Sequence, residues 1–263
     1  MIKKEFKDNF KSFIIWLSIL LGIFLIVYLI YPYIITDETM DSLDEMMKVF
    51  PPEVLKAFNM DLSSINTAYG WLKSEGFMFV LIIIGIYCSM LGSSIVLKEE
   101  SDKTIEYLES LPIKRSTILT NKITTSLVYI VLMILIFGVF NYIALLISGD
   151  FNHSEYLLLS ITPLFIALPF FAINLFISTF LHKTRKTIGI SLGLVFLSYI
   201  LSVLSELSTK VEFLKYFSIY TLADTRNVIV NTSIAPIVVI ISLLITFVFI
   251  IGSYIRYNRK ELV

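Results

Sequence analysis

The sequence contains six apolar runs, each of about 20 residues, which is the length that an α-helix needs to cross the hydrocarbon core of a bilayer. The six predicted spans are residues 13–34, 77–97, 123–148, 156–181, 187–205 and 234–255. Hydrophobic residues make up 57% of the 263 residues, and the mean hydropathy is +0.84, both high for a globular domain. The sequence therefore predicts an all-α, polytopic membrane protein that forms a single transmembrane domain over residues 1–263.

Lysine and arginine residues are distributed unequally between the two sides of the predicted membrane. Fifteen of the 21 lie in the N-terminal segment, the 98–122 loop, the 182–186 loop and the segment after the last span. Cytoplasmic loops of membrane proteins carry such an excess, so we expect both termini in the cytoplasm and outer loops at 35–75 and 206–233. The preference for lysine over arginine is typical of AT-rich bacterial genomes and favours a bacterial cell membrane.

Two segments next to the spans have helical patterns of their own. Residues 1–12 lead into the first span with apolar positions at helical spacing, namely Ile2, Phe6, Phe10 and Phe13, and with lysines between them. This pattern favours an amphipathic helix in the plane of the cytoplasmic interface, and the alternative is a short basic flank. The 206–233 loop interleaves charged and aromatic residues, which predicts short helices at the outer interface before the last span.

Small residues recur every four positions in two of the spans: Gly85, Ser89 and Ser93 in one, Gly189 and Gly193 in the other. Such stripes let helices approach closely. In the fourth span, Pro163 and Pro169 remove backbone hydrogen-bond donors and predict a kink.

The sequence offers little for catalysis. It contains no phosphate-binding G-x-x-x-x-G-K-[ST], no G-x-G-x-x-G and no H-E-x-x-H motif. Its two histidines, His153 and His182, fall at span ends, and its one cysteine, Cys88, lies inside an apolar run, which excludes a Cys-rich metal site. The pair Glu99-Glu100 also occurs in prenyl-type intramembrane endopeptidases, but those need an arginine and intramembrane histidines that are missing here. We expect no catalytic, cofactor-binding or metal-binding residue and no nucleic-acid partner.

The loop between the second and third spans is the most highly charged stretch, KEESDKTIEYLESLPIKRSTILTNK. Asp102 can cap a helix over about 103–111, Pro112 ends that helix, and Ser116 can cap the next one. The apolar stripe of the short helix consists of Ile105, Leu108 and Leu111, with Thr104 and Tyr107 alongside. This stripe either lies on neighbouring helices or headgroups, or docks in a cleft of a soluble partner. Acidic residues gain no electrostatic stabilisation beside an anionic membrane leaflet, so docking to a soluble partner is favoured.

These residues carry a resemblance to a known family. EESDKTIEYLESLPIKRSTILTNK resembles the signature of the permease subunits of type-2 ATP-binding-cassette exporters, and Lys103 departs from it where glycine is common. The matching residues are Glu99, Glu100, Thr104, Ile105, Glu106, Leu108, Leu111, Pro112, Arg115 and Lys122. KKEFKDNFKSFIIW, FPPEVLKAFNMDLSSI and LKYFSIYTLADTRNVI are similar to the entry helix, the first outer loop and the segment before the last span, where Ile219 replaces the usual proline.

The resemblance implies a six-span half-transporter in which two permease subunits, identical or different, work with two cytoplasmic ATPase subunits. ATP and magnesium would bind on the ATPase, and the 98–122 loop would be the coupling helix. The implied ATPase-coupling interface consists of Glu99, Glu100, Thr104, Ile105, Glu106, Tyr107, Leu108, Leu111, Pro112 and Arg115. The expected function is export of a hydrophobic or amphipathic substrate, peptides included, through unassigned binding residues. The alternative is a non-transporting membrane protein that uses the same loop to recruit a soluble cytoplasmic partner.

Overall fold

The computed structural model describes residues 2–34, 67–105, 112–149, 151–223 and 225–260, with a few isolated positions between 42 and 51. These described residues form helices and turns and contain no strand. The α-helices are α1 Ile2–Ile34, α2 Ala68–Trp71, α3 Phe77–Ser94, α4 Lys98–Ser101, α5 Arg115–Ser148, α6 His153–Ile161, α7 Leu164–Ser178, α8 Thr184–Leu207, α9 Thr225–Asn231 and α10 Pro236–Tyr257. A π-helical turn over Leu72–Gly76 joins α2 to α3, and 3-10 helices over Thr209–Phe217 and Tyr220–Leu222 follow α8.

The prediction of six membrane-spanning helices is confirmed. Helices α1, α3, α5, α8 and α10 are each long and apolar enough to cross a bilayer, and α6 and α7 together form the sixth span over His153–Ser178. The prediction of short helices before the last span is confirmed as well, because the two 3-10 helices and α9 lie there.

Helix α1 runs without a break through both the predicted in-plane segment, 1–12, and the predicted first span. It is one continuous helix of 33 residues, about 50 Å long, which exceeds the roughly 30 Å of bilayer hydrocarbon. Of the four predicted apolar positions, Phe13 is buried and Phe6 packs against the core, whereas Ile2 and Phe10 are exposed, and the polar residues Glu5 and Asn9 are buried between them. Packing against α5 decides which side is buried, and the Tyr129 hydroxyl of α5 donates a hydrogen bond to the Phe6 carbonyl at 2.6 Å.

Two predicted loops are shorter in the structure. Helix α5 begins at Arg115, so the last eight residues of the predicted 98–122 loop are helical, and Ser116 lies inside the helix instead of capping it. On the other side, helix α2 begins at Ala68, where the Thr67 hydroxyl accepts a hydrogen bond from the Gly70 amide at 3.0 Å. At these ends the helices include polar residues, so they extend beyond the predicted apolar spans.

The kink predicted in the fourth span is a break at one of its two prolines. Asn152 caps α6 by accepting hydrogen bonds from the amides of Ser154 and Glu155. Residues 162–163 form a turn between α6 and α7, and Pro163 removes the donor that would continue the helix. Pro169 stays inside α7.

The centre of the bundle is the contact between α3 and α7, with α8 packed against α3 and α10 packed against α7. Small residues let α3 and α7 approach. A Cβ atom built on Gly85 would lie 3.3 Å from the Phe170 ring, and one built on Gly92 would lie 2.4 Å from the Phe171 carbonyl oxygen. Cys88 is fully buried in the same contact region.

The predicted packing stripes have different outcomes. In α3, Gly85 makes the close approach, and Ser89 and Ser93 are fully buried. In α8, a Cβ atom on Gly189 or Gly193 would meet no heavy atom of the described residues within 4 Å. This pair makes no close packing contact with the described part of the chain, because both glycines lie on the exposed face of α8, and its packing role stays a prediction.

Replacing Gly92 with alanine is expected to destabilise the bundle by about 1–3 kcal/mol, because the added methyl group would force α3 away from the α7 backbone. Gly22→Ala in α1 is the matched control, since no heavy atom of the described residues lies within 4 Å of its Cβ position, and it should gain a little helix stability. Thermal unfolding of both purified variants in detergent compares them. Equal unfolding temperatures for the two variants would contradict the predicted α3–α7 contact.

Candidate functional site: a buried ionic cluster at the basal end

One end of the bundle, here called the basal end, brings together the start of α1, helix α4, the start of α5, the α7–α8 connection and residue 260. Five charged residues are buried there: Glu5, Glu99, Glu100, Lys122 and Lys260. We call this set the basal cluster. Charged side chains are rarely buried unless they are paired, so the contacts of the cluster show what holds this end together.

Lys122 of α5 is the centre of the first half of the basal cluster. Its side chain is 0% exposed, and its Nζ lies 2.6 Å from Glu99 Oε1 of α4 and 3.1 Å from Glu5 Oε1 of α1. The ammonium also donates to the Ile95 carbonyl at 2.8 Å, so its three donors have three acceptors. Lys122 therefore ties three helices together with charge-assisted hydrogen bonds.

This half of the cluster holds one positive charge between two carboxylates. Glu5 and Glu99 are 5% and 11% exposed at their side chains, and Glu99 Oε2 has no hydrogen-bond partner among the described residues. Without Lys122, both carboxylates would be buried with no cation to offset the cost of removing them from water. The lysine is thus a requirement for burying these acids.

Glu100 is the centre of the second half of the basal cluster. Its Oε1 lies 2.5 Å from Lys260 Nζ, and its Oε2 lies 2.9 Å from Nδ1 of His182, whose side chain is half exposed. Lys260 also donates to the Leu181 carbonyl at 2.7 Å. Burial lowers the pKa of the Lys260 ammonium, and the hydrogen bond to Glu100 opposes that shift. These contacts join α4, the α7–α8 connection and the segment after α10.

Further hydrogen bonds reinforce the basal end. Arg115 Nη1, at the start of α5, donates to the Lys260 carbonyl at 2.7 Å. The hydroxyls of Ser101 in α4 and Thr184 in α8 lie 2.5 Å apart. Lys98 of α4 donates to the Asp8 carbonyl at 3.2 Å. Helix α4 is therefore attached to α1, α5, α8 and the segment after α10, although it is only four residues long.

The predicted coupling residues separate into three groups in the structure, apart from Arg115, which donates to the Lys260 carbonyl. Glu99 and Glu100 are corrected: they were predicted to face an ATPase, but they are buried and paired inside this chain. The described residues of the segment that follows differ in exposure, with Ile105 buried and Thr104 and Pro112 exposed. Glu106, Tyr107, Leu108 and Leu111 lie outside the described residues.

The turn after α4 shows why glycine is common at the position of Lys103 in the family that the sequence resembles. Lys103 has a φ of 55°, which is the left-handed region that favours glycine. The Thr104 amide donates to the Glu99 carbonyl at 2.9 Å and closes the turn. The backbone at this position requires the left-handed conformation, which agrees with the glycine that is common there in the resembling family. Lys103 adopts the same conformation, and its side chain is exposed.

Sequence reasoning missed Glu5 and Lys260 and gave Lys122 no partner. A signal was present for Lys122, because it falls on the α5 face that also holds Ile118, Leu119 and Ser126, all of which are buried. A charge that continues the apolar face of a predicted span requires a buried counter-charge, and the preceding loop contains the adjacent acidic pair Glu99-Glu100. No comparable periodic signal marks Lys260, which follows its helix in an irregular turn.

The geometry is that of a mechanical junction. Each ammonium of the basal cluster contacts carboxylates or carbonyls of other elements, so displacement of one element strains the hydrogen bonds of the rest. Except for Glu99 Oε2, no buried polar side-chain atom of the basal cluster lacks a partner among the described residues, and hydrogen-bond networks of this kind rigidify the elements that they join. The arrangement can therefore pass a displacement from α4 to α1, α5 and α10.

Comparison with known proteins gives one result for the whole chain. The family model described as ABC-2 family transporter protein matches residues 1–262. Neither the curated proteins nor the solved structures give a significant match.

Proposed function

The chain belongs to the ABC-2 family of transporter proteins, and from that premise we propose that it is the membrane permease subunit of an ATP-binding-cassette exporter. The observation that carries the proposal is the family match over residues 1–262, which covers all six spans. Membership makes the chain a transmembrane component and not the ATPase. The direction of transport, the assembly and the substrate are parts of the proposal.

The proposed partner is a cytoplasmic ATPase subunit that carries ATP and magnesium. In the assembly, two copies of this ATPase would serve two permease subunits, the second permease being an identical or a related chain. This chain contains no G-x-x-x-x-G-K-[ST] motif to cradle nucleotide phosphates, so hydrolysis has to take place on the partner.

The proposed docking element is the segment from Thr104 to Pro112; Ile105 is buried within this chain, so Leu108 and Leu111 are the residues of its apolar stripe that would enter a cleft of the ATPase. The basal cluster supports this proposal, because it fixes α4 immediately before the segment and α5 immediately after it. In this proposal Glu99 and Glu100 serve as internal anchors and do not contact the ATPase. A movement of the docked segment would reach the bundle through these anchors and change the access of a central pathway.

The basal end is proposed to face the cytoplasm of a bacterial cell, with both termini there. The lysine and arginine excess on this side supports that orientation. The substrate is proposed to be hydrophobic or amphipathic, with peptides as one class, because the bundle interior is built mainly from aliphatic and aromatic side chains.

The test is purification of the tagged chain from its native membrane in mild detergent, followed by mass spectrometry of the co-purified chains and an ATPase assay. We expect an ATPase with a phosphate-binding loop, recovered in stoichiometric amount and active in the complex. A folded preparation that reproducibly lacks an ATPase would contradict the proposal and favour the non-transporting protein that recruits another partner.

A further inference from the structure

Lys260 contacts both ends of the segment that joins α4 to α5. Its Nζ lies 2.5 Å from Glu100 Oε1, just before residues 102–114, and its carbonyl accepts a hydrogen bond at 2.7 Å from Arg115, just after them. One residue therefore contacts both Glu100, before this segment, and Arg115, after it.

We infer that Lys260 is a positioning residue for ATPase coupling, which holds Glu100 and Arg115, the described residues on either side of the proposed docking element, at a fixed separation. The inference rests on the proposed function, because it takes this segment as the docking element. It adds a residue from the far end of the sequence, 160 positions from Glu100, to the part of the molecule that would transmit the motion.

The burial of Lys260 supports a positional role. The residue is 3% exposed, although lysine is among the side chains least often buried. Burying an ammonium ion costs desolvation free energy, which well-placed acceptors have to offset. An ion pair that did not need to fix the position of its elements could form at the surface, where this cost is smaller. Here the ammonium has acceptors on two separate elements, Glu100 of α4 and the Leu181 carbonyl after α7.

The position of Lys260 in the chain connects the coupling segment to the last span. Lys260 follows α10 after two turn residues, so displacement of α10 would be passed to both ends of the segment. A second contact joins α10 to α5, because the Tyr254 and Thr120 hydroxyls lie 2.7 Å apart. The last span and the start of α5 are thus linked by two contacts, Lys260–Arg115 and Tyr254–Thr120. The ion pair of Lys260 with Glu100 extends this linkage to α4.

The inference is tested on the complex of the full chain with its co-expressed ATPase. Lys260→Met removes the ammonium but keeps most of the aliphatic stem. We expect ATP hydrolysis by the complex, relative to the ATPase alone, to fall about tenfold or more, since a charge-assisted hydrogen bond is lost from the junction. Lys215→Met is the matched control, because it breaks an exposed lysine–glutamate pair with Glu212 and should leave hydrolysis unchanged.

A second variant separates positioning from stability. Lys260→Met alone leaves the Glu100 carboxylate buried, with His182 as its remaining ionic partner among the described residues, and should lower the unfolding temperature. Glu100→Gln combined with Lys260→Met removes both charges and should restore most of that temperature. A positioning role predicts that the double variant still hydrolyses ATP about tenfold more slowly than the wild type.

The outcomes are distinct. Slow hydrolysis in a stable double variant supports the inference. Hydrolysis at the wild-type rate in either Lys260 variant overturns it, and so does a double variant in which stability and hydrolysis recover together. A wild-type chain that captures no ATPase overturns the proposed function and this inference with it, and that result is seen before any variant is compared.

Discussion

Replacing Lys122 with methionine is expected to prevent recovery of the chain as a folded protein. The substitution keeps the length of the side chain but removes the cation that Glu5 and Glu99 share, and it leaves both carboxylates buried. Breaking a buried ionic contact by removing one partner costs about 3–5 kcal/mol. The free energy of unfolding of folded proteins is only about 5–15 kcal/mol, so this substitution alone removes a large part of it.

The measurement is the yield and unfolding temperature of the Lys122→Met chain, followed by size-exclusion chromatography in detergent. Adding Glu5→Gln and Glu99→Gln provides the control, because the triple variant removes every charge of this half of the basal cluster and should recover much of the stability. The exposed Lys215–Glu212 pair is the second control, since Lys215→Met should leave the unfolding temperature essentially unchanged. A Lys122→Met chain that unfolds within about 2 °C of the wild type would contradict the structural role given to the cluster.

The number of spans and their order could be predicted from the sequence, because the bilayer imposes a length on every apolar run. The ends of the helices could not be predicted in the same way. Helices α1 and α5 continue through polar residues at the basal end, where backbone hydrogen bonding and packing maintain the helix after the apolar run has ended. The apolar run gives the part of a helix that lies in lipid, and the contacts between helices decide how far the helix extends beyond it.

The basal cluster could be predicted only in part. The sequence shows that Glu99 and Glu100 stand beside an apolar run, but their cations are 23 and 160 positions away. Spacing along one element predicts which residues share a face, and it carries no information about which distant element meets that face. The two acids were therefore predicted to be interface residues, although the fold uses them to attach α4 to the bundle.

The packing stripes show the same limit. The spacing in α8 is as regular as that in α3, but Gly189 and Gly193 face away from the rest of the described chain, whereas Gly92, outside the predicted stripe, makes the closest approach to α7. A stripe of small residues permits close packing, and the arrangement of the neighbouring helices decides whether it occurs.

Replacing Leu108 with aspartate is expected to abolish coupled transport while the chain still inserts into the membrane and folds. The sequence places Leu108 in the middle of the apolar stripe between Ile105 and Leu111, on the segment proposed to enter the ATPase cleft. The substitution removes an apolar side chain from that contact and adds a carboxylate with no expected partner there. Together these effects cost about 4 kcal/mol or more, roughly a thousandfold in the affinity between the subunits.

Two further variants distinguish docking from general damage. Leu108→Met conserves volume and apolar character, so it should keep the ATPase bound and active. Glu106→Lys reverses a charge beside the stripe and should weaken ATPase stimulation without changing the unfolding temperature of the permease. The measurements are recovery of the ATPase from detergent extracts, ATP hydrolysis by the complex, and the unfolding temperature of the permease alone. Because the basal cluster anchors α4 and α5 independently of residue 108, loss of the ATPase should occur without loss of the fold. A Leu108→Asp chain that retains its ATPase at the wild-type level would remove residues 104–112 from the docking surface and leave the basal cluster as a purely structural junction.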